Sequence, residues 1–299
     1  MGFSRVITLS LNSPLNVNLT FEVTPPAYPT VFEDNRLYRA FKIDDKLVPT
    51  IVKFEGDVNN PVAKIEVLSK VARKELYRIV KLVRRHVCDE LDLSKVYEAM
   101  GRDFQWLSKE LYGLKPWIAP TPFEGVVLSI IFQQLSTRAA LSIIRSFVER
   151  TGEYLDVEGI RFYSFPTPEK LASMSIESLR KCKLSLNKAI YIKTFSREVL
   201  KGLDLDRLEV YPTSEIYDIL TSIKGIGRWT ARLALLIAFE RWESLPSDDL
   251  GIRKAFAKLI FGKEMASAQE VEEYAERWGA YKGPIAYYLL VYYEKHLKR

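Results

Sequence analysis

The chain has 299 residues, enough for one large domain or two modest ones with a core of ordinary size. With 47% hydrophobic and 27% charged residues and only 14 Gly and 14 Pro, it has the balance of a packed globular protein, which excludes a fibre, a disordered chain and a miniature scaffold. Lysine and arginine number 44 against 38 aspartate and glutamate, a formal net charge of +6 that favours a polyanionic partner without identifying one.

From Val6 to about Val67 short β-branched runs predict strands: VITLSLN, VNLTFEV, LYRAFKI, LVPTIVKFEG and AKIEVLS, separated by Pro, Asp or Asn clusters. They are expected to form a small antiparallel sheet. The segment Lys74 to Cys88 places Leu76, Ile79, Val80 and Val83 at helical spacing, so an amphipathic helix should cover that sheet with its basic residues turned away. After Asp92 every periodic run is helical, from SKVYEAM to AQEVEEYAERW, interrupted by the Pro-rich GLKPWIAPTPFEG at 113–125. The expected fold is therefore α+β: an N-terminal domain of sheet and helix, residues 1–90, and an all-α region, residues 91–299.

Cys88 and Cys182 stand far apart and His86 and His296 are the only histidines, so no zinc or iron–sulfur ligand set can be assembled. No cofactor is expected to be required. The N-terminus alternates apolar and polar residues instead of carrying a signal-type apolar block, and no run approaches the roughly 18 to 20 apolar residues of a membrane span. A cytosolic protein with reduced thiols and no membrane contact is the expectation.

The most informative segment is LTSIKGIGRWTARLALLIAF, residues 220–239, where two apolar-periodic stretches meet at Lys224-Gly225-Ile226-Gly227. Glycine at 225 and 227 permits positive φ and close approach of another backbone, and the amides opening the second helix point outward at its positive dipole end. Such a turn can hold a phosphate, with Ile226 plugging the hairpin and Lys224 and Arg228 adding cationic charge. It also suits an ordinary helix–helix turn with a glycine cap. Downstream, Pro246-Ser247-Asp248-Asp249-Leu250-Gly251 puts two acids at a helix start. On spacing alone such a pair reads first as a helix cap; beside a phosphate-gripping turn, a carboxylate there would face a sugar and stabilise a developing oxocarbenium ion.

KGIGRWTA followed by DDLGIRK some twenty residues on resembles the helix-hairpin-helix DNA glycosylase superfamily. The segments 91–117, 122–137 and 165–192 resemble the branch containing the bacterial inducible 3-methyladenine DNA glycosylase II, and with the N-terminal strands the resemblance covers nearly the whole chain. It implies a helical region of two subdomains flanking a cleft, expected between the hairpin-bearing half and the 122–200 segment. Asp249 is implied as the catalytic acid residue, with Asp248 structural. The implied DNA contacts are Lys224, Gly225, Ile226, Gly227, Arg228 and Thr230 at the hairpin, and the wedge region Gln133-Gln134-Leu135-Ser136, where Gln134 or Leu135 enters the base stack and Ser136 lies alongside. The carbonyls of Thr221, Ile223 and Ile226 map to the family's structural monovalent-cation site.

Subfamilies with lyase activity carry a Lys two residues after the second hairpin Gly; this chain has Trp229 there, and an indole cannot form an imine. The resemblance thus implies a monofunctional hydrolase, a monomer acting on double-stranded DNA that contains a damaged base. Alkylated purines, mainly 3-methyladenine and 7-methylguanine, are the leading substrates, since a cationic base gains from stacking on Trp229. Leu233 and Leu290 fall where the bacterial relative has aromatic pocket residues, Tyr281, Tyr287 and Tyr288 are offered as replacement aromatic surface, and Lys183 stands where the family has Gly. Two alternatives stay open: a glycosylase for 8-oxoguanine or for deaminated bases such as hypoxanthine, and a noncatalytic DNA-binding module.

Overall fold

Apolar–polar alternation and tight turns produce a five-stranded antiparallel sheet in the computed structural model, which describes residues 5–297. Its strands are β1 (Arg5–Ser10), β2 (Val31–Glu33), β3 (Arg36–Ile43), β4 (Lys46–Glu55) and β5 (Val62–Val67), in the order β1-β5-β4-β3-β2. Asp34 and Asn35, at φ of 48° and 59°, close the two-residue β2–β3 turn, a left-handed pair that Asp and Asn tolerate. One expected strand is a helix. VNLTFEV folds as α1 (Val17–Val23), because Asn16 caps it by accepting from Leu19 N at 3.0 Å and Phe21 is buried in the sheet's core, which outweighs the β-preference of Val17, Thr20 and Val23. The expected covering helix is present as α2 (Arg73–His86), laying Leu76, Ile79 and Val83 on the sheet.

The rest of the chain is mostly helical: α3 (Leu93–Met100), α4 (Gln105–Glu110), α5 (Pro122–Phe132), α6 (Thr137–Thr151), α7 (Pro168–Ser173), α8 (Ile176–Arg180), α9 (Leu186–Leu200), α10 (Leu205–Leu208), α11 (Thr213–Ser222), α12 (Arg228–Ile237), α13 (Leu250–Phe256), α14 (Ala268–Ala275) and α15 (Lys282–His296). It is not all-α. A β-hairpin, β6 (Tyr154–Val157) and β7 (Ile160–Tyr163), turns at Glu158-Gly159.

Three hydrophobic clusters organise the packing. One fills the space between sheet and α2; a second gathers α5, α6, α9, α11 and α12; a third gathers residues 88–118 with α13, α14 and α15. The α11–α12 hairpin therefore shares a core with the 122–200 segment. Asp249 caps α13, whose buried residues Ile252, Ala255 and Phe256 belong to the third cluster. Cys182 belongs to the second cluster and Cys88 to the third.

A buried polar knot ties sheet to helices. Arg39 on β3 pairs with Glu124 on α5 at 3.0 Å, with side chains only 6% and 2% exposed, and donates to Thr30 Oγ1 at 3.1 Å. Nearby His86 Nδ1 lies 2.7 Å from Ile118 O; a carbonyl only accepts, so Nδ1 carries the proton. Burial, with the Arg39 charge, pushes His86 down to about 3, leaving it neutral.

Candidate active site at the junction of the two helical cores

The hairpin turn is held from within. Ile226 is buried in the second cluster, as a plug must be, and its N–H donates to Ile223 O at 3.0 Å. Gly225 takes φ of +96°, and a Cβ there would stand 2.1 Å from Tyr191 Cγ, so both backbone conformation and packing demand glycine. Gly227 differs: its φ of −87° and ψ of −179° suit any residue, and a Cβ would meet nothing within 4 Å. The fold leaves open space there, beside the start of α12. Ala231 N is the first α12 amide to bond back, to Gly227 O at 2.9 Å, so helix geometry frees the amides of Arg228, Trp229 and Thr230 at the positive end of the dipole.

Thr230 needs a correction as a side-chain DNA contact. It is 3% exposed, and its Oγ1 accepts from Gln133 Nε2 at 2.8 Å. The same Gln133 nitrogen donates to Gly225 O at 2.8 Å, binding the turn between α5 and α6 to the hairpin. Lys188 on α9 holds that turn from the other side through Ile131 O and Gln133 O, at 2.8 and 2.7 Å, and its burial lowers the ammonium below the usual lysine range. Between these clamps Gln134 is exposed at φ of 54°, Leu135 is half-buried, and Ser136 caps α6 by accepting from Ala139 N. Lys188 is a support of this turn that the sequence reading passed over, and Gln133, named there only as part of the wedge region, binds the turn to the hairpin.

Asp249 is at once the helix cap and a half-buried carboxylate. Its Oδ1 accepts from Ile252 N at 3.0 Å at the start of α13, and its Oδ2 accepts from Trp229 Nε1 at 3.1 Å. Trp229 lies in the first turn of α12, so this bond joins the N-terminal end of α12 to the capped end of α13. Asp248 is exposed one residue earlier. A Cβ on Gly251 would lie 2.9 Å from Leu290 Cδ1 and 3.1 Å from Asp249 Oδ1, which puts Leu290 on the carboxylate's side of α13. Leu233 is half-buried one turn beyond Trp229, and Leu250, 55% exposed, adds an apolar surface next to Asp249 that the sequence reading did not single out.

The tyrosines divide differently. Tyr288 is fully buried and donates to Leu114 O at 2.6 Å; Tyr287 bonds Thr24 Oγ1 at 2.7 Å, and burial pushes its phenol up to about 12. Both are occupied by packing between α15 and its neighbours and offer no aromatic surface to the site. Tyr281 is half-buried at the start of α15 against the third cluster, and among the described residues no hydrogen bond or ring contact joins it to Asp249 or Trp229.

Charge at the site is organised around Glu272 of α14. It accepts from Arg228 Nη2 at 2.7 Å, from Arg232 Nη2 at 2.7 Å and from Ser247 Oγ at 3.2 Å. Partial burial pushes this carboxyl up, but the Arg232 hydrogen bond and charge, Ser247 and the Arg228 charge outweigh it and hold the group below the usual carboxylate range. Arg228 is thus paired within the protein, whereas Lys224 is exposed. No helix among the described residues is long and apolar enough to cross a membrane.

Comparison with known proteins agrees with this geometry. DNA-3-methyladenine glycosylase 1 of Schizosaccharomyces pombe is 29% identical over 172 residues, covering 56% of this chain and 71% of its own. The structure of a 3-methyladenine DNA glycosylase from Archaeoglobus fulgidus superposes with a TM-score of 0.84 at 28% identity, over 98% of this chain and 100% of that one. The 3-methyladenine DNA glycosylase of S. pombe in complex with abasic DNA superposes with a TM-score of 0.59 at 25% identity, over 68% of this chain and 97% of that one. Residues 127–280, which include the hairpin and Asp249, match the model of the HhH-GPD superfamily base excision DNA repair proteins, and the chain belongs to that superfamily.

Proposed function

We propose that this protein is a monofunctional DNA glycosylase that flips alkylated purines, mainly 3-methyladenine and 7-methylguanine, out of double-stranded DNA and hydrolyses their N-glycosidic bond. The observation that carries the reading is the Asp249 carboxylate, oriented by Trp229 Nε1 and Ile252 N next to a helix start that the fold leaves open at Gly227. The free amides of α12 would grip a phosphate, and the exposed Gln134, between the Gln133 and Lys188 clamps, or Leu135 would fill the gap left by the extruded base. With the sugar drawn against Asp249, the carboxylate stabilises positive charge as the glycosidic bond breaks. The cationic purine takes the bonding pair and leaves neutral; water adds its hydroxyl to the sugar carbon and gives its proton to solvent. Trp229 offers no amine, so the product is an intact abasic site.

Relatives named as 3-methyladenine glycosylases, at 25–29% identity, support the alkylated-base reading, whereas the 8-oxoguanine glycosylase/lyase of Clostridium acetobutylicum shares the fold at 18% identity. The walls near the carboxylate, Trp229 with Leu233, Leu290 and Leu250, suit a base selected by its weakened bond more than by a dense set of hydrogen bonds. The protein is expected to act as a cytosolic monomer. A monovalent cation on the carbonyls of Thr221, Ile223 and Ile226 would sit at the end of α11 and the turn after it, where Ile223 O already accepts from Ile226 N and has one lone pair left; it would be structural, and no cofactor takes part in the step.

The test is base release from duplexes carrying 3-methyladenine, 7-methylguanine, hypoxanthine or 8-oxoguanine, with and without alkali. Release of the two methylated bases, with strand scission only after alkali, is expected. Scission without alkali would exclude the monofunctional reading, and preferential release of 8-oxoguanine or hypoxanthine would reassign the substrate.

A further inference from the structure

Three groups converge on Glu272, and they do different work. Arg228, 51% exposed, is the first residue of α12 and adjoins the open space at Gly227. Arg232, one turn further and only 20% exposed, is held by both carboxylate oxygens, at 2.7 and 3.3 Å, and reaches on to Leu245 O at 3.2 Å and Ser247 Oγ at 2.8 Å. Ser247 is fully buried two residues before Asp249, whose own N–H bonds Pro246 O at 2.8 Å. The loop presenting the carboxylate is therefore pinned by Arg232, and Arg232 is pinned by Glu272.

We propose that Glu272 is a positioning residue that assigns the two arginines to separate tasks: it locks Arg232 onto the Asp249 loop and holds Arg228 until a DNA phosphate takes it over. An exposed ion pair is weak and exchanges easily with a phosphate, whereas the Arg232 fork, half-buried and with four acceptor atoms, has no comparable alternative. Removing the Glu272 charge frees Arg228 for DNA and loosens the Asp249 loop. Binding and chemistry then move in opposite directions, which simple structural damage does not do. This inference rests on the glycosylase reading above.

The test uses Glu272→Gln in the full chain, with single-turnover release of 7-methylguanine and binding to an undamaged duplex measured over a range of salt. The variant is expected to bind duplex about 3- to 10-fold more tightly, with a salt dependence steeper by about one counterion, while its maximal rate falls about 10-fold. Adding Arg228→Ala should abolish the gain in affinity without restoring the rate. Should Glu272→Gln fold poorly, Ser247→Ala serves instead, with a slower rate and unchanged duplex affinity expected. Unchanged rate and affinity in Glu272→Gln, parallel loss of both, or a gain in affinity that survives Arg228→Ala would each overturn the proposal. A wild-type protein inert on every lesion would count against the glycosylase reading, and the affinity arm on undamaged duplex would still decide whether Glu272 restrains Arg228.

Discussion

Two polar clusters of this molecule use the same kinds of side chain to opposite ends. Beneath the sheet, Arg39, Glu124, Thr30 and His86 are sealed among apolar neighbours, and the acid and base pair with one another while Arg39 Nε and His86 Nε2 stay without a partner. At the junction of the two helical cores, Asp249, Trp229, Arg228 and Glu272 are only partly covered, and each carboxylate oxygen of Asp249 has accepted a single bond. The first arrangement is closed and serves stability. The second keeps unused capacity facing solvent, which is what a site that must stabilise a transient charge requires. The difference lies in burial, and so in access to solvent and ligand, more than in residue type.

Variants should separate the two clusters cleanly, and the largest effect belongs to Asp249. Asparagine caps helices as well as aspartate does, so Asp249→Asn is expected to melt like the wild type while base release falls by ~10²-fold or more. Single-turnover rates beside thermal melts check both halves of that statement. Under the sheet the pattern reverses. Glu124→Gln leaves Arg39 buried without its counter-charge, which should lower stability by about 3 kcal/mol while the folded fraction keeps its rate; denaturant titration measures the loss.

Acid should find the same cluster. His86 is held well below its unfolded value near 6.5, so the unfolded chain binds a proton that the folded one refuses. Its contribution is complete above about pH 6.5 and lost as pH falls toward 3, amounting to about 2 kcal/mol by pH 5. His86→Asn keeps a donor for Ile118 O and should flatten the melting temperature between pH 7 and 5; an equal slope in variant and wild type would remove His86 from the account. The smallest effect distinguishes the hairpin glycines. Gly227→Ala has no internal clash and should leave melting unchanged while weakening duplex binding about 10-fold, or roughly 1.4 kcal/mol, because the new methyl occupies the space left for DNA.

Local patterns carried much of this into the sequence. Ile226 between two glycines reads as a plug, and the plug is in the core; the spacing of Leu76, Ile79 and Val83 reads as a helix on a sheet, and it is one. What failed depends on partners distant in the chain. VNLTFEV is β-rich by composition, and only the Asn16 cap and the burial of Phe21 make it helical. The β6–β7 hairpin was missed because its strands are only four residues long and Glu158-Gly159 is a weak turn signal beside Asn-Gly or Asp-Gly. Lys183, a departure from the resembled family's glycine, occupies φ of 66°, a left-handed position that glycine would take without strain. Glu272 joins Arg228 and Arg232 across some forty residues of chain, and Gln133 reaches Gly225 and Thr230 across more than ninety; no local pattern announces either set of partners.

The decisive measurement is the affinity of wild type and Asp249→Asn for a duplex bearing a cationic pyrrolidine analogue of the abasic sugar, compared with the same duplex intact. The wild type should prefer the cationic analogue by ~10²-fold, and the variant should lose most of that preference while holding intact duplex as before. Equal preference in both proteins would mean that the carboxylate at 249 does not face the sugar.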